Sequence, residues 1–156
     1  MKLYHGTNIE FSQIDFSKSK SGKDFGLGFY LTPVKEIAHR QAERKYEQFE
    51  TGDIIVQEYE FDEKNVENLS VLRFDSYTLE WARFVLLNRK NRTKIQQHHY
   101  DIVIGPIADD AIGFQIRRLE DGIITEEQFL EEIKYHTVTM QYLFCSGKSL
   151  LTLHRL

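Results

Sequence analysis

Runs of apolar residues at two periodicities divide the chain into elements. Lys2–Tyr4 reads as a short strand running into Gly6, and Asn8–Phe25 is polar, rich in Ser and Lys, and reads as irregular loop. Thr32-Pro33 predicts a helix start, with Thr32 as N-cap and Pro33 in the first turn. Ile37, Ala38, Ala42 and Phe49 then follow at spacings that suit one buried side. Ile54–Phe61 alternates Ile55, Tyr59 and Phe61 against Glu58 and Glu60, a strand pattern. Tyr77–Asn88 predicts a second helix with Leu79, Ala82, Val85 and Leu86 inward. Asp101–Pro106 is a short buried strand stopped by Gly-Pro, and Ala111, Ile112, Gln115, Ile116 and Leu119 mark a helix after it. Thr125 with Gln128 forms a capping box, and Ile124 with Phe129 a hydrophobic staple, so another helix starts there. Thr137–Cys145 predicts a strand with Thr139, Gln141, Leu143 and Cys145 on one face and Val138, Met140, Tyr142 and Phe144 on the other. Ser146–Leu156 reads as a short closing helix or strand. Strands and helices are interspersed without regular βαβ alternation, which predicts an α+β fold.

Composition narrows the class. The 156 residues suit one domain, 1–156, and a 41% hydrophobic share supplies a core for it. No stretch approaches the ~18 consecutive apolar residues of a membrane helix, and Met1–Gly6 is too polar for a secretory signal. A single cysteine, Cys145, allows no internal disulfide, so a cytoplasmic location is the expectation. The net charge of −4 gives no global field for nucleic acid. The run Arg89-Lys90-Asn91-Arg92-Thr93-Lys94, preceded by Arg83, is a local exception. It reads first as a solvated helix end, with a landing patch for a phosphate-bearing partner as the alternative. His98, His99, His136 and Cys145 show no recurring ligand spacing, so no metal is expected. Cys145 lies in an apolar strand, where a thiol tends to be inert.

Two glycine-bearing motifs carry candidate chemistry: Tyr4-His5-Gly6-Thr7 and Gly26-Leu27-Gly28-Phe29-Tyr30-Leu31-Thr32. Glycine beside a strand end lets a flat ligand approach the backbone closely. A neighbouring Tyr offers a ring face for stacking. Together they describe a site for a planar, amide-bearing ligand, a description many small molecules satisfy.

In that order and spacing, the two motifs resemble the first two signatures of the diphtheria-toxin-like ADP-ribosyltransferases, a superfamily that includes the poly(ADP-ribose) polymerases. The chain looks more like an uncharacterised bacterial branch of domains of unknown function, through Asp24-Phe25-Gly26, Tyr100–Asp110 and Gln141-Tyr142-Leu143-Phe144-Cys145. The resemblance implies a split β-sandwich with flanking helices, NAD as co-substrate, and an NAD-dependent mono-ADP-ribosyltransferase acting as a bacterial intracellular toxin or defence effector. Its implied partners are a macromolecular acceptor (protein, RNA or DNA) and an antitoxin protein. The alternatives are an NAD glycohydrolase and a non-catalytic module that binds NAD or ADP-ribose.

The resemblance also implies roles. His5 would hydrogen-bond the adenine-side ribose, and Gly6 would pair its backbone with the nicotinamide amide. Thr7 completes that cofactor-binding segment, and Tyr30 would stack on the nicotinamide. The third catalytic position, usually Glu in relatives, is Gln141 here. A Gln oxygen can accept the same ribose hydroxyl but brings only a dipole to an oxocarbenium-like transition state. Gln141→Glu is therefore expected to raise turnover, and Gln141 cannot act as a general base, leaving Asp24, Asp109 and Asp110 as candidates. Relatives often carry a second aromatic where Gln41 stands; Tyr46 and Phe25 are candidate substitutes. Lys18 and Lys20 could touch the NAD diphosphate, although loop lysines are common.

Overall fold

A computed structural model describes residues Met1–Leu156. The fold is α+β, with two sheets and five helices. In chain order the elements are β1 (Lys2–Thr7), β2 (Phe29–Leu31), α1 (Lys35–Phe49), β3 (Ile55–Phe61), β4 (Val71–Arg73), α2 (Leu79–Lys90), β5 (Ile102–Pro106), α3 (Asp110–Glu120), α4 (Glu126–Ile133), β6 (Met140–Phe144), α5 (Gly147–Leu150) and β7 (Leu153–Arg155). One sheet has the order β1-β3-β7 and the other β2-β6-β5-β4. No helix is long and apolar enough to cross a membrane.

Strand alternation builds two cores. Leu3, Tyr59, Phe61 and Leu153 from the first sheet meet Phe29, Leu31, Ile102, Ile104, Tyr142 and Phe144 from the second in one buried cluster. The opposite face of the second sheet presents Val103 and Leu143 to α2, α3 and α4, where Trp81, Val85, Ile112, Ile116 and Phe129 close a second cluster. β6 therefore divides its side chains by parity, as its sequence pattern predicts, although the strand itself spans only Met140–Phe144. Trp81 is fully buried, and its indole N–H donates to the Pro106 carbonyl at 3.1 Å. The capping box at Thr125 forms as expected, and the Asp109 side chain caps α3 by accepting from the Ile112 N–H.

Two readings are corrected, and one strand had no reading. Thr32 is not the N-cap of α1, which starts after Val34 without a side-chain cap. The N–H and C=O of Thr32 are instead bonded to Tyr4, at 2.9 and 2.8 Å, so the chain stays extended there and turns into the helix later. Phe49 is not inward: it is 46% exposed, with the Lys20 ammonium 4.8 Å from its ring centre. β4 escapes the sequence pattern because it is three residues long and lies at a sheet edge, parallel to β5. The closing segment contains both a helical turn, α5, and a strand, β7.

Gly6 is required by packing. A Cβ there would sit 1.9 Å from the Ala38 carbonyl oxygen and 2.8 Å from the Ala42 nitrogen of α1. Helix and strand thus touch backbone to backbone, with Ala38 and Ala42 fully buried at the contact. Gly6→Ala is expected to lower stability by ~3 kcal/mol or more, since neither backbone can move without opening the core. Urea denaturation measures this; an unchanged midpoint would refute the contact.

Candidate functional site

The backbone bridge between Tyr4 and Thr32 joins the middle of β1 to the residue after β2, and a cleft of about 630 Å³ opens beside it. His5, Tyr30 and Gln141 all line this cleft. Their convergence follows from register. Tyr30 pairs with Leu143 across β2 and β6, so Gln141, two residues back on β6, projects from the same face as Tyr30. His5 comes from the other sheet and reaches over the bridge, its Nδ1 lying 2.7 Å from the Tyr30 carbonyl oxygen.

That contact sets the imidazole's tautomer. A carbonyl only accepts, so Nδ1 carries the proton and Nε2 is left as a lone-pair acceptor on the cleft wall. The ring is packed against Phe29 and Phe11, at centroid distances of 4.3 and 5.8 Å. Burial, with the Lys45 charge adding to it, pushes its pKa down from 6.5 to about 3. His5 is thus a neutral acceptor suited to a sugar hydroxyl.

Tyr30 offers its ring, not its hydroxyl. The phenol donates to the Gly26 carbonyl at 2.7 Å and accepts from the Phe25 N–H at 3.0 Å, which fixes the ring plane. Burial raises its pKa well above the ordinary value. The Lys23 ammonium lies 5.1 Å from the ring centre, as a cation does over a π face. The loop carrying these anchors is itself held. Gln96 brackets the backbone of Leu27 through both amide atoms, and His98 Nε2 lies 2.8 Å from the Phe25 carbonyl. Gly26 has φ 93°, and a Cβ would meet Gln96 Oε1 at 2.3 Å.

Gln141 is held through its amide nitrogen, which donates to Asp24 Oδ2 and to the Pro106 carbonyl, each at 3.4 Å. Its oxygen remains an acceptor. Asp24 is also paired with Arg89, Oδ1 to Nε 2.7 Å, both side chains being mostly covered. Of the three carboxylates considered from sequence, Asp24 alone lines the cleft; Asp109 caps α3 and Asp110 occupies its first turn.

Gly6 and Thr7 stand apart from the three side chains in the cleft wall. Tyr4 spends its N–H and C=O on Thr32, so strand alternation turns those of Gly6 to the same edge. The Gly6 carbonyl accepts from Lys45 Nζ at 2.6 Å. The Thr7 hydroxyl is committed to the Ile9 backbone, donating to its carbonyl at 3.0 Å. Neither proposed substitute for the second aromatic reaches the cleft. Phe25 is fully buried in the helix-side core and Tyr46 lies outside the lining, whereas Gln41 is part of it.

The cations were largely missed in the sequence. Seven of them line the cleft against two carboxylates, Asp24 and Glu120. Lys23, Arg44 and Lys45 form a wall beside His5, and Lys45 is pushed down to about 8 by burial and by the charges of Lys23 and Lys20. Arg89, Lys90, Arg92 and Arg117 form a wall beside Asp24 and Gln141. Three members of the basic run therefore turn inward, although its position at the end of α2 is also favourable to the helix dipole. Lys18 and Lys20 are not in the lining. Nothing in the local pattern marks Arg44 or Arg117, because α1 and α3 meet the cleft only through tertiary packing.

His98 is engaged with backbone on both ring nitrogens, and the structure contains no group of three or more His, Cys, Asp or Glu side chains able to hold a metal. The Cys145 thiol is pushed up to about 12, chiefly by burial.

Fold and site define an α+β protein with a cation-lined cleft at the junction of two sheets. The chain belongs to the family described as "Protein of unknown function (DUF3990)", whose profile matches residues 1–155. No curated protein and no solved structure matches it.

The depressed His5 pKa has a measurable consequence. Below pH 6.5 the unfolded chain takes up a proton that folded His5, with a pKa of about 3, does not. Stability from this group is therefore full above pH 6.5 and is lost as pH falls toward 3. Relative to His5→Asn, the wild type should lose ~1–2 kcal/mol more between pH 7 and pH 5. Parallel denaturation curves for the two proteins across that range would refute the buried neutral imidazole.

Proposed function

We propose that the chain is an NAD-dependent mono-ADP-ribosyltransferase of the diphtheria-toxin-like type. One observation carries the reading: residues 25 and 136 positions after His5, chosen for their motifs, line the same cleft as His5. The cleft's volume falls within the ~300–1,000 Å³ usual for small-molecule sites. Its chemistry suits a dinucleotide: a neutral His5 acceptor for a ribose hydroxyl, a fixed Tyr30 ring for a pyridinium, and the cations Lys23, Arg44 and Lys45 for a diphosphate.

In the reaction, the bond between ribose C1′ and the nicotinamide nitrogen breaks and neutral nicotinamide leaves with the bonding pair. The acceptor's N or O forms the new bond to C1′ and releases its proton to solvent. Positive charge grows on the ribose between these events. The Gln141 oxygen accepts from the 2′-hydroxyl, and the Asp24 carboxylate, held against the same amide, supplies negative charge that Gln141 lacks. This arrangement reverses the simple expectation for Gln141→Glu. A glutamate there would face Asp24 as a like charge and lose the N–H that now holds Asp24 and Pro106. The toxin or defence-effector role is drawn from the resemblance, as are the cytoplasmic location and the antitoxin partner.

Incubation with labelled NAD and cell extract tests the reading. Label on a macromolecule is the expected outcome; free ADP-ribose alone would indicate a glycohydrolase, and intact NAD with measurable binding a non-catalytic module. His5→Ala and Tyr30→Ala should each weaken NAD binding about tenfold or more, the scale of one hydrogen bond or one stacking contact. Asp24→Asn should lower kcat by about 100-fold, as loss of a transition-state charge does, while Gln141→Glu should bring no gain. A faster Gln141→Glu enzyme would sink the role given to Asp24. Growth arrest on expression, relieved by His5→Ala, is expected for the toxin role.

A further inference from the structure

We infer that the acceptor is a single-stranded nucleic acid, held by the wall of Arg89, Lys90, Arg92 and Arg117; the inference rests on the transferase reading above. The cations of the cleft exceed what a dinucleotide needs. A diphosphate carries two negative charges, and Lys23, Arg44 and Lys45 already oppose them with three cations. The second wall lies on the other side, where Arg89 is tied to Asp24 and Asp24 to Gln141. It therefore flanks the carbon at which the new bond forms.

Two cations of the second wall have carboxylate partners, Arg89 with Asp24 and Lys90 with Glu120 at 3.3 Å, and two, Arg92 and Arg117, have none. Guanidinium nitrogens of Arg89 and Arg117 both come within 4 Å of the point where a Cβ on Gly113 would stand, the nearest being Arg89 Nη1 at 3.3 Å. Arg92 reaches across to Gly22, its Nη1 3.0 Å from the corresponding point there. Like charges gathered in a chain of net charge −4 are relieved by an anion that spans them. One turn before Arg117 on the same helix, Phe114 is 52% exposed, with the Arg118 guanidinium 5.7 Å from its ring centre. A row of phosphate-binding cations beside an exposed aromatic fits a strand with unstacked bases better than an acidic peptide, which has no flat group to place on the ring. Transfer joins a nucleophilic nitrogen or oxygen of the nucleotide to C1′ of the NAD ribose, nicotinamide leaves, and the nucleotide's proton passes to solvent.

The test uses the full chain with single-stranded DNA and RNA 20-mers, followed by fluorescence anisotropy without NAD and by label transfer from NAD. Expected are binding with a log–log salt slope of about −2 to −3, for three or four phosphate contacts, and label on the DNA or the RNA, which identifies the sugar. Arg92→Glu with Arg117→Glu should weaken binding and transfer by more than tenfold, and Phe114→Ala should weaken binding about tenfold. Arg83→Glu, on the outer side of α2 and paired with Glu126, should leave both unchanged. Label on protein with neither oligonucleotide modified would overturn the inference, as would binding indifferent to the Arg92 and Arg117 changes. Intact NAD alongside arginine-dependent oligonucleotide binding would overturn the transferase reading alone.

Discussion

Two backbone hydrogen bonds between Tyr4 and Thr32 hold this molecule's site together. They are the bridge between sheets that otherwise meet only through side chains, and they fix how the middle of β1 lies against the end of β2. His5 follows Tyr4 by one residue and Tyr30 precedes Thr32 by two, so the bridge dictates that the imidazole reaches the Tyr30 carbonyl. It also directs the free edge of β1 at Gly6 toward α1, whose close approach depends on the absent Cβ. Packing and site geometry are thus one constraint, and the glycine that motif reasoning assigned to a ligand serves first to seat a helix.

Electrostatics at the cleft run against the chain as a whole. A protein of net charge −4 places seven cations around one cavity and opposes them with two carboxylates. Burial, with the surrounding cations adding to it, holds His5 neutral and depresses Lys45. Asp24 is the counterweight. Its bonds to Arg89 and Gln141 place a carboxylate beside the amide.

Much of the fold was legible along the chain. Parity in Thr137–Cys145 sorted Tyr142 and Phe144 from Leu143 correctly because a strand's side chains must alternate, whatever the sheet. The capping box at Thr125 was local chemistry and needed no tertiary context. Readings failed where distant backbone intervened. Thr32 has the composition of an N-cap, yet its N–H and C=O are claimed by a strand 28 residues earlier. Phe49 has helical spacing for burial but sits exposed at the last position of α1, and β4 is too short to show a period.

For the cleft, sequence alone determined the identities of His5, Tyr30 and Gln141 and the glycine context of the first two, because motif spacing is a one-dimensional property. Only the tertiary structure decided that Asp24, Lys45, Arg89 and Arg117 share that cavity. Helices α1, α2 and α3 bring those charges from distant stretches, and charge acts through distance in space, which the order of residues does not record.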